Sequence, residues 1–151
     1  MLEKKICLED VMPLMLETLE AGREVTFSPR GTSMLPMLCE GRDRVTLSKP
    51  SGALKKYDIA LYQRRDGRYV LHRVVCVGET YTMIGDNQFI FEKGILEDQI
   101  IGVCTSFVRK GKKTDVTNKR YRLYVILWHY SRFPRRILYA IRSRLARLWK
   151  K

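Results

Sequence analysis

The sequence predicts a mainly β fold, in which a coiled or barrel-like antiparallel sheet lies between a short N-terminal helix and C-terminal helices. Between Glu24 and Val108, short apolar and β-branched runs are separated by turns that contain glycine, proline or aspartate. Helical periodicity is found only before and after this region. Because no helical stretch alternates with the strand-like runs, the pattern excludes the βαβ units of a parallel sheet and favours an antiparallel one.

Apolar residues near the N-terminus recur at the spacing of a helix: Leu8, Val11, Met12, Met15, Leu16 and Leu19. We expect Asp10 to cap this helix, Pro13 to lie in its first turn and Gly22 to end it. The segment is too short for a DNA-reading helix-turn-helix domain, so we interpret it as a packing helix.

Strand signals follow in six runs: Glu24–Ser28, Asp43–Ser48, Asp58–Gln63, Tyr69–Val77, Thr80–Ile84 and Gln99–Val108. Asp66-Gly67 lies between the third and fourth runs, and Asp-Gly is a strong signal for a hairpin turn. On this interpretation, His72 shares one face of its strand with Val70 and Val74.

The positive charge is concentrated at the C-terminal end. The chain has 29 lysines and arginines against 16 acidic residues, a net charge of +13. Eleven of these basic residues and no acidic residue lie in residues 119–151, whereas the rest of the chain is nearly balanced. The sequence therefore predicts a domain over residues 1–110, a linker over 111–118 and a basic tail over 119–151, which we expect to meet an anionic partner.

The tail has the pattern of an amphipathic helix, with one apolar face made by Ile137, Leu138, Ile141, Leu145, Leu148 and Trp149. Its arginines lie largely off that face, which is typical of a helix lying in a membrane interface. The alternative is a helix that packs on its own domain with a solvated basic face. No stretch approaches the roughly 20 apolar residues of a membrane-spanning helix.

The four cysteines, Cys7, Cys39, Cys76 and Cys104, form no C-x-x-C pair, and each is next to apolar residues. We interpret them as small buried side chains. With only two histidines and no ligand-like spacing, the sequence predicts neither a metal site nor a cofactor.

Three short stretches could carry chemistry. Gly31-Thr32-Ser33-Met34-Leu35-Pro36 presents a serine in a glycine-led turn, Leu71-His72-Arg73 places a histidine in an apolar run, and Ile84-Gly85-Asp86-Asn87 ends a strand-like run with a turn. Serine, histidine and an acid can act as a nucleophile, a general base and an orienting group.

Together these stretches resemble the type I signal peptidase family in its endoplasmic-reticulum-type branch, with its patterns Gly/Ser-x-Ser-Met-x-Pro, His-Arg and Gly-Asp-Asn. The resemblance extends from about Glu24 to Val103 and implies a fold of the signal peptidase type. It implies Ser33 as the nucleophile and His72 as the base, at the strand position where the bacterial housekeeping enzymes have lysine. Either Asp86 or Glu92 would orient the histidine, and the choice between them stays open.

The sequence therefore predicts a serine endopeptidase that cleaves a signal, leader or precursor peptide. The alternative is a non-enzymatic module whose basic tail binds a membrane or nucleic acid; nucleic acid is disfavoured because it leaves the serine, histidine and acid without a role. The family usually has an N-terminal membrane anchor, and this sequence begins without one. With four unpaired cysteines, we expect peripheral association with an anionic membrane on its cytoplasmic face.

Overall fold

One antiparallel sheet of eight strands forms the body of the protein in the computed structural model, which describes residues 8–148. The strands are β1 (Val25–Phe27), β2 (Arg44–Ser48), β3 (Ile59–Gln63), β4 (Tyr69–Val77), β5 (Tyr81–Ile84), β6 (Glu92–Ile95), β7 (Ile100–Arg109) and β8 (Lys112–Asp115). They lie in the order β1-β2-β7-β3-β4-β5-β6, and β8 pairs with β7. The predicted mainly β, antiparallel fold is confirmed, and the sheet is open rather than closed into a barrel.

Two strands, β6 and β8, are not among the predicted runs. Their sequences, Glu-Lys-Gly-Ile and Lys-Lys-Thr-Asp, lack apolar alternation because most of their side chains are exposed or half-buried. β8 occupies part of the predicted linker over residues 111–118. Lys110 and Gly111, with φ angles of 50° and 77°, make the tight two-residue turn that folds β8 back on β7.

The centre of the sheet is covered on both faces. On β3, Ile59 and Leu61 belong to one apolar cluster, whereas Ala60 and Tyr62 belong to another. Because successive strand residues point to opposite faces, the two clusters lie on opposite sides of the sheet. The first four residues of β3 are therefore all buried, and they form a continuous apolar run.

The N-terminal helix α1 (Leu8–Glu20) packs Met12, Met15 and Leu19 into the first of these clusters. Asp10 lies inside the helix, so the prediction that it caps the helix was wrong, as was the placing of Pro13 in the first turn. Leu8 and Glu9 are good helix formers and extend the helix upstream of the predicted cap. Gly22, with a φ of 73°, follows the helix end as predicted.

Two helices follow the sheet: α2 (Lys119–Tyr130) and α3 (Arg132–Leu148). The Asn118 side chain caps α2 by accepting hydrogen bonds from the backbone N–H groups of Arg120 and Tyr121. Tyr121 and Val125 are buried in the first cluster, so α2 is part of the core rather than of a detached tail.

The last helix, α3, is largely exposed. Trp149, which the predicted amphipathic face includes, lies outside the described residues, as does Cys7. No helix within residues 8–148 combines the length and the apolar character that crossing a bilayer requires.

Candidate active site

Ser33 lies in a turn that is held by a hydrogen bond at its start and by buried residues after the serine. Gly31, at a φ of 82°, starts the turn and donates its N–H to Glu40 Oε2 at 2.9 Å. Met34 and Met37 are buried in the first apolar cluster, and Ser33 itself is half-buried. The apolar residues that follow the serine therefore fix the turn on the core and leave the serine near the surface.

The serine turn docks on the turn that follows β5. The Asn87 N–H donates to the Ser33 carbonyl oxygen at 2.8 Å, and the Asn87 side-chain amide donates to the Thr32 carbonyl oxygen at 3.2 Å. A Cβ atom at Gly85 would lie 2.5 Å from the Ser33 carbonyl oxygen. Only glycine allows this approach, so the Gly-Asp-Asn stretch holds the serine backbone in place.

His72 lies on β4 opposite Ala60 of β3 and is 1% exposed. Arg73 pairs with Ile84 of β5, and continuing this antiparallel register places Gly85 beside His72. Because the Ser33 carbonyl packs on Gly85, the serine turn and the histidine adjoin the same end of β5. No hydrogen bond joins the Ser33 hydroxyl to His72 within residues 8–148, and such contacts are often loose before substrate binds.

The Nδ1 side of the His72 ring is held by Glu92 and Tyr62. His72 Nδ1 lies 3.2 Å from the Tyr62 hydroxyl oxygen and 3.3 Å from Glu92 Oε1. The Tyr62 hydroxyl donates its single proton to Glu92 Oε2 at 2.8 Å. The proton between His72 and these two groups must therefore be on Nδ1, which leaves Nε2 with a lone pair.

Glu92 contacts Arg64 as well as Tyr62 and His72. Arg64 Nε donates to Glu92 Oε2 at 2.8 Å, and Arg64 Nη2 donates to Oε1. Burial raises the pKa of Glu92, but the hydrogen bonds from Arg64 and Tyr62 outweigh it, so the pKa is lowered overall. Glu92 is therefore an ionised carboxylate at neutral pH, beside the imidazole that it faces.

Burial lowers the pKa of His72 to about 4, an effect that the charge of Glu92 opposes and that of Arg64 reinforces. The imidazole is therefore neutral over the physiological range, as a general base must be.

Asp86 faces a different partner. Its carboxylate accepts two hydrogen bonds from Arg73, at 2.7 Å from Nε and 2.6 Å from Nη2, and Asp86 is 1% exposed. Arg73 Nη1 also donates to the Tyr57 carbonyl oxygen and the Tyr121 hydroxyl, each at 3.0 Å. Because Arg73 and His72 are neighbours on β4, their side chains point to opposite faces. Within residues 8–148, the carboxylate that contacts His72 is thus Glu92 and not Asp86.

Sequence reasoning missed four residues around the site: Tyr62, Arg64, Tyr121 and Trp128. The Trp128 indole N–H donates to the Asp86 carbonyl oxygen at 2.9 Å, so α2 buttresses the turn that holds the serine. Tyr62 could have been found from the hairpin register, because it is two residues from the partner of His72 on the same face. Nothing local in the sequence points to the other three.

An open cleft of about 1050 Å³ begins next to these groups. Leu35 and Pro36, which follow Ser33, line it, as do Arg64 and Glu92. Helices α2 and α3 contribute the lining residues Trp128, Arg135, Leu138, Tyr139 and Arg142. Ser33 and His72 are not themselves lining residues, so the cleft adjoins the candidate catalytic groups rather than enclosing them.

The cysteines and histidines form no cluster for a metal: within residues 8–148, no group of three or more His, Cys, Asp or Glu side chains is placed to hold one. The described cysteines are free thiols. Cys104 is buried as expected, but Cys76 is exposed, because a register shift at the end of β4 turns it out of the core.

Comparison with family models, with curated proteins and with solved structures finds no match to this chain.

Proposed function

We propose that the protein is a serine endopeptidase of the signal peptidase type, with Ser33 as the nucleophile, His72 as the general base and Glu92 as the orienting group. The observation that carries this proposal is the set of contacts at His72 Nδ1. Tyr62 and Glu92 hold that nitrogen in its protonated form, which leaves Nε2 unprotonated. This is the tautomer that a serine-activating base requires. The serine turn packs on Gly85, which the strand register places next to His72.

In the proposed reaction, Ser33 Oγ attacks the carbonyl carbon of the scissile peptide and its proton passes to His72 Nε2. The tetrahedral oxyanion receives a hydrogen bond from the Ser33 backbone N–H. The imidazolium, stabilised by the charge of Glu92, then gives its proton to the leaving amine, and the C–N bond breaks to leave an acyl-enzyme. Water repeats the sequence and releases the acid. The substrate is a signal, leader or precursor peptide bound in an extended form.

A labelling experiment tests the nucleophile. We expect a fluorophosphonate probe to modify the wild-type protein at Ser33, and Ser33→Ala to reduce labelling and peptide cleavage by a factor of about 10³ or more. Ser51→Ala is a matched control, because Ser51 is exposed in a loop away from the cleft. Labelling that persists in a folded Ser33→Ala protein would reject the assignment.

We also propose that the protein binds anionic membranes peripherally through its C-terminal helices, on the cytoplasmic side. The apolar side chains of α3 are exposed, with Ile137, Ile141 and Leu145 each about half accessible to solvent. Arginines flank them and residues 119–151 contain no acid, so insertion and electrostatic attraction act together.

Vesicle sedimentation tests this surface. We expect the full-length protein to pellet with vesicles that contain anionic lipid, in a salt-sensitive manner, and not with neutral ones. Ile141→Glu should weaken this binding, whereas Leu14→Glu, which alters an even more exposed apolar position on α1, should not. Equal effects of the two substitutions would contradict the assignment to α3.

A second candidate function is a non-enzymatic module that uses this same exposed apolar and basic surface to bind its partner. It is favoured by the absence of a Ser33–His72 hydrogen bond within residues 8–148. Vesicle binding by a wild-type protein that neither reacts with the probe nor cleaves peptides would support it.

A further inference from the structure

The cleft that Glu92 lines has more basic than acidic side chains in its lining. Its lining includes Arg135 and Arg142 of α3 and Arg64, which follows β3. Glu92 is the carboxylate in the lining, and Arg64 already pairs with it. Within residues 8–148, neither Arg135 nor Arg142 forms an ion pair, and α3 itself contains no acidic residue. The cleft therefore has a net positive charge that its own side chains do not neutralise.

Arg135, in the cleft lining, and Arg132, three residues earlier on α3, are both held in place by neutral groups. Arg132, 8% exposed, contacts the Gln88 carbonyl oxygen at 3.2 Å and His129 Nδ1 at 2.9 Å. Arg135 donates to the Trp128 carbonyl oxygen at 2.7 Å, and its guanidinium stacks 3.5 Å from the centre of the Trp128 ring.

Arg132 is buried and Arg135 is half-buried, so both guanidinium groups are partly removed from water, and this burial lowers their pKa. The negative charge of Asp86 raises the pKa of both arginines, but its carboxylate is already paired with Arg73. Cations that are ordered, partly dehydrated and without a carboxylate partner of their own are stabilised by an anionic ligand.

The rest of the cleft is apolar. Its lining includes Phe89 and Ile90 on the loop before β6 and Leu138 and Tyr139 on α3. The rings of Phe89 and Tyr139 lie 6.1 Å apart. A ligand that fits this cleft must therefore present apolar groups together with a negative charge.

We propose that this cleft recognises a peptide segment in which acidic side chains are flanked by apolar ones, so that the substrates of the protein are acidic near the cleaved bond. The inference rests on the proposed function, because Leu35 and Glu92 join the cleft to the Ser33 turn and to His72. A peptide is favoured over a lipid headgroup because Ile137, Ile141 and Leu145, the exposed stripe suited to a membrane, are not among the lining residues.

The test uses the full-length Ser33→Ala protein, so that binding is measured without cleavage. Three fluorescein-labelled peptides of about 12 residues, identical in their leucine, alanine and serine content, have two central aspartates, asparagines or lysines. By fluorescence anisotropy, we expect the aspartate peptide to bind about three- to tenfold more tightly than the asparagine peptide, and the lysine peptide to bind most weakly. Equal affinities for the three peptides would overturn the proposal.

A pair of arginine substitutions on one helix sharpens the test. Arg142 lines the cleft, whereas Arg144, two residues further along α3 and similarly exposed, does not. We expect Arg142→Gln to remove most of the preference for aspartate over asparagine and Arg144→Gln to leave it unchanged. Equal losses would show general charge attraction and overturn the proposal. A larger effect of Arg142→Gln on anionic vesicle binding, without any peptide preference, would assign the cleft to lipid instead.

The same peptides separate this inference from the proposed function. If the wild-type protein does not react with the probe but the aspartate preference holds, the peptidase proposal fails and the cleft is an acidic-peptide binding site. If the wild-type protein cleaves all three peptides with equal efficiency, the peptidase proposal stands and the acidic preference is rejected.

Discussion

Two carboxylates, Asp86 and Glu92, lie six residues apart in the chain and meet opposite faces of strand β4, Asp86 through Arg73 and Glu92 through His72. Their surroundings differ in kind. Asp86 is enclosed, with its two oxygens on one guanidinium and its backbone carbonyl on the indole of Trp128. Glu92 keeps 22% of its side chain exposed and divides its oxygens among Arg64, Tyr62 and His72.

The comparison separates a structural acid from one that can respond to chemistry. A buried carboxylate whose charge is already paired with a buried arginine is costly to change. A carboxylate shared among three partners at the mouth of a cleft can strengthen its interaction with the imidazole as positive charge develops there. Five measurements test this contrast and the groups around it, from the largest expected effect to the smallest.

The largest effect is expected on stability at Asp86. Asp86→Asn leaves the buried Arg73 without a compensating charge, so the free energy of unfolding should fall by about 3–5 kcal/mol. Urea denaturation followed by circular dichroism measures this change. Asp66→Asn is the control, because it removes an exposed ion pair with Arg68 and should change the stability little. Similar losses in the two variants would show that the Asp86 pair is not the structural one.

Glu92 should show the opposite profile. Glu92→Gln preserves shape but removes the charge beside His72, so we expect the rate of probe labelling to fall by a factor of about 10–10² while the fold is retained. The Glu97→Gln variant, which changes an exposed acid just after β6, should label at the wild-type rate. A Glu92→Gln protein with a normal rate would leave Asp86 or a simple Ser–His pair as the alternatives.

A smaller effect is expected where α2 meets the Asp86 turn. Trp128→Phe removes the hydrogen bond to the Asp86 carbonyl and should lower the free energy of unfolding by about 1–2 kcal/mol. Tyr130→Phe, at an exposed position on the same helix, should be nearly neutral. Urea denaturation of both variants decides the matter, and equal stabilities would show that the indole contact contributes nothing.

The finest test is the pH profile. A histidine in water titrates near pH 6.5, but burial lowers the pKa of His72 to about 4, so labelling at Ser33 should rise through about pH 4 and be level by neutral pH. Glu92 raises this pKa and Arg64 lowers it, so Glu92→Gln should move the rise to lower pH and Arg64→Gln to higher pH. Initial labelling rates measured from about pH 3 to pH 8 cover both shifts. A rise above pH 8 would point to a lysine base.

His72 also ties stability to pH. Its pKa is lower in the folded protein than in the unfolded chain, so the unfolded chain binds more protons between about pH 6.5 and 4. This contribution to stability is complete above pH 6.5 and is lost as the pH falls towards 4. Urea titrations should show a smaller pH dependence over this range for His72→Gln than for the wild-type protein.

The sequence predicted the elements that have a local signature. The alternating runs gave most of the sheet, and the serine turn and the histidine were recognisable as motifs. The partners of Glu92 were not predictable, because Tyr62 on β3 and Arg64 just after it lie about thirty residues away and meet it only through the fold of the sheet. The role of α2 was hidden for a related reason. Tyr121 and Val125 are buried by a sheet formed earlier in the chain, while the arginines around them suggested an exposed tail.

The adjacency of His72 and Arg73 has a consequence for how the sheet finds its alignment. A slip of β4 by one residue would turn the guanidinium towards Arg64 and the imidazole towards Asp86. Two cations would then meet on one face, and a neutral ring would replace the charge partner of a buried acid on the other. The misaligned sheet is thus penalised on both faces at once. This residue pair therefore favours the native strand register, and we expect it to disfavour alternative strand pairings, both within the chain and between copies of it.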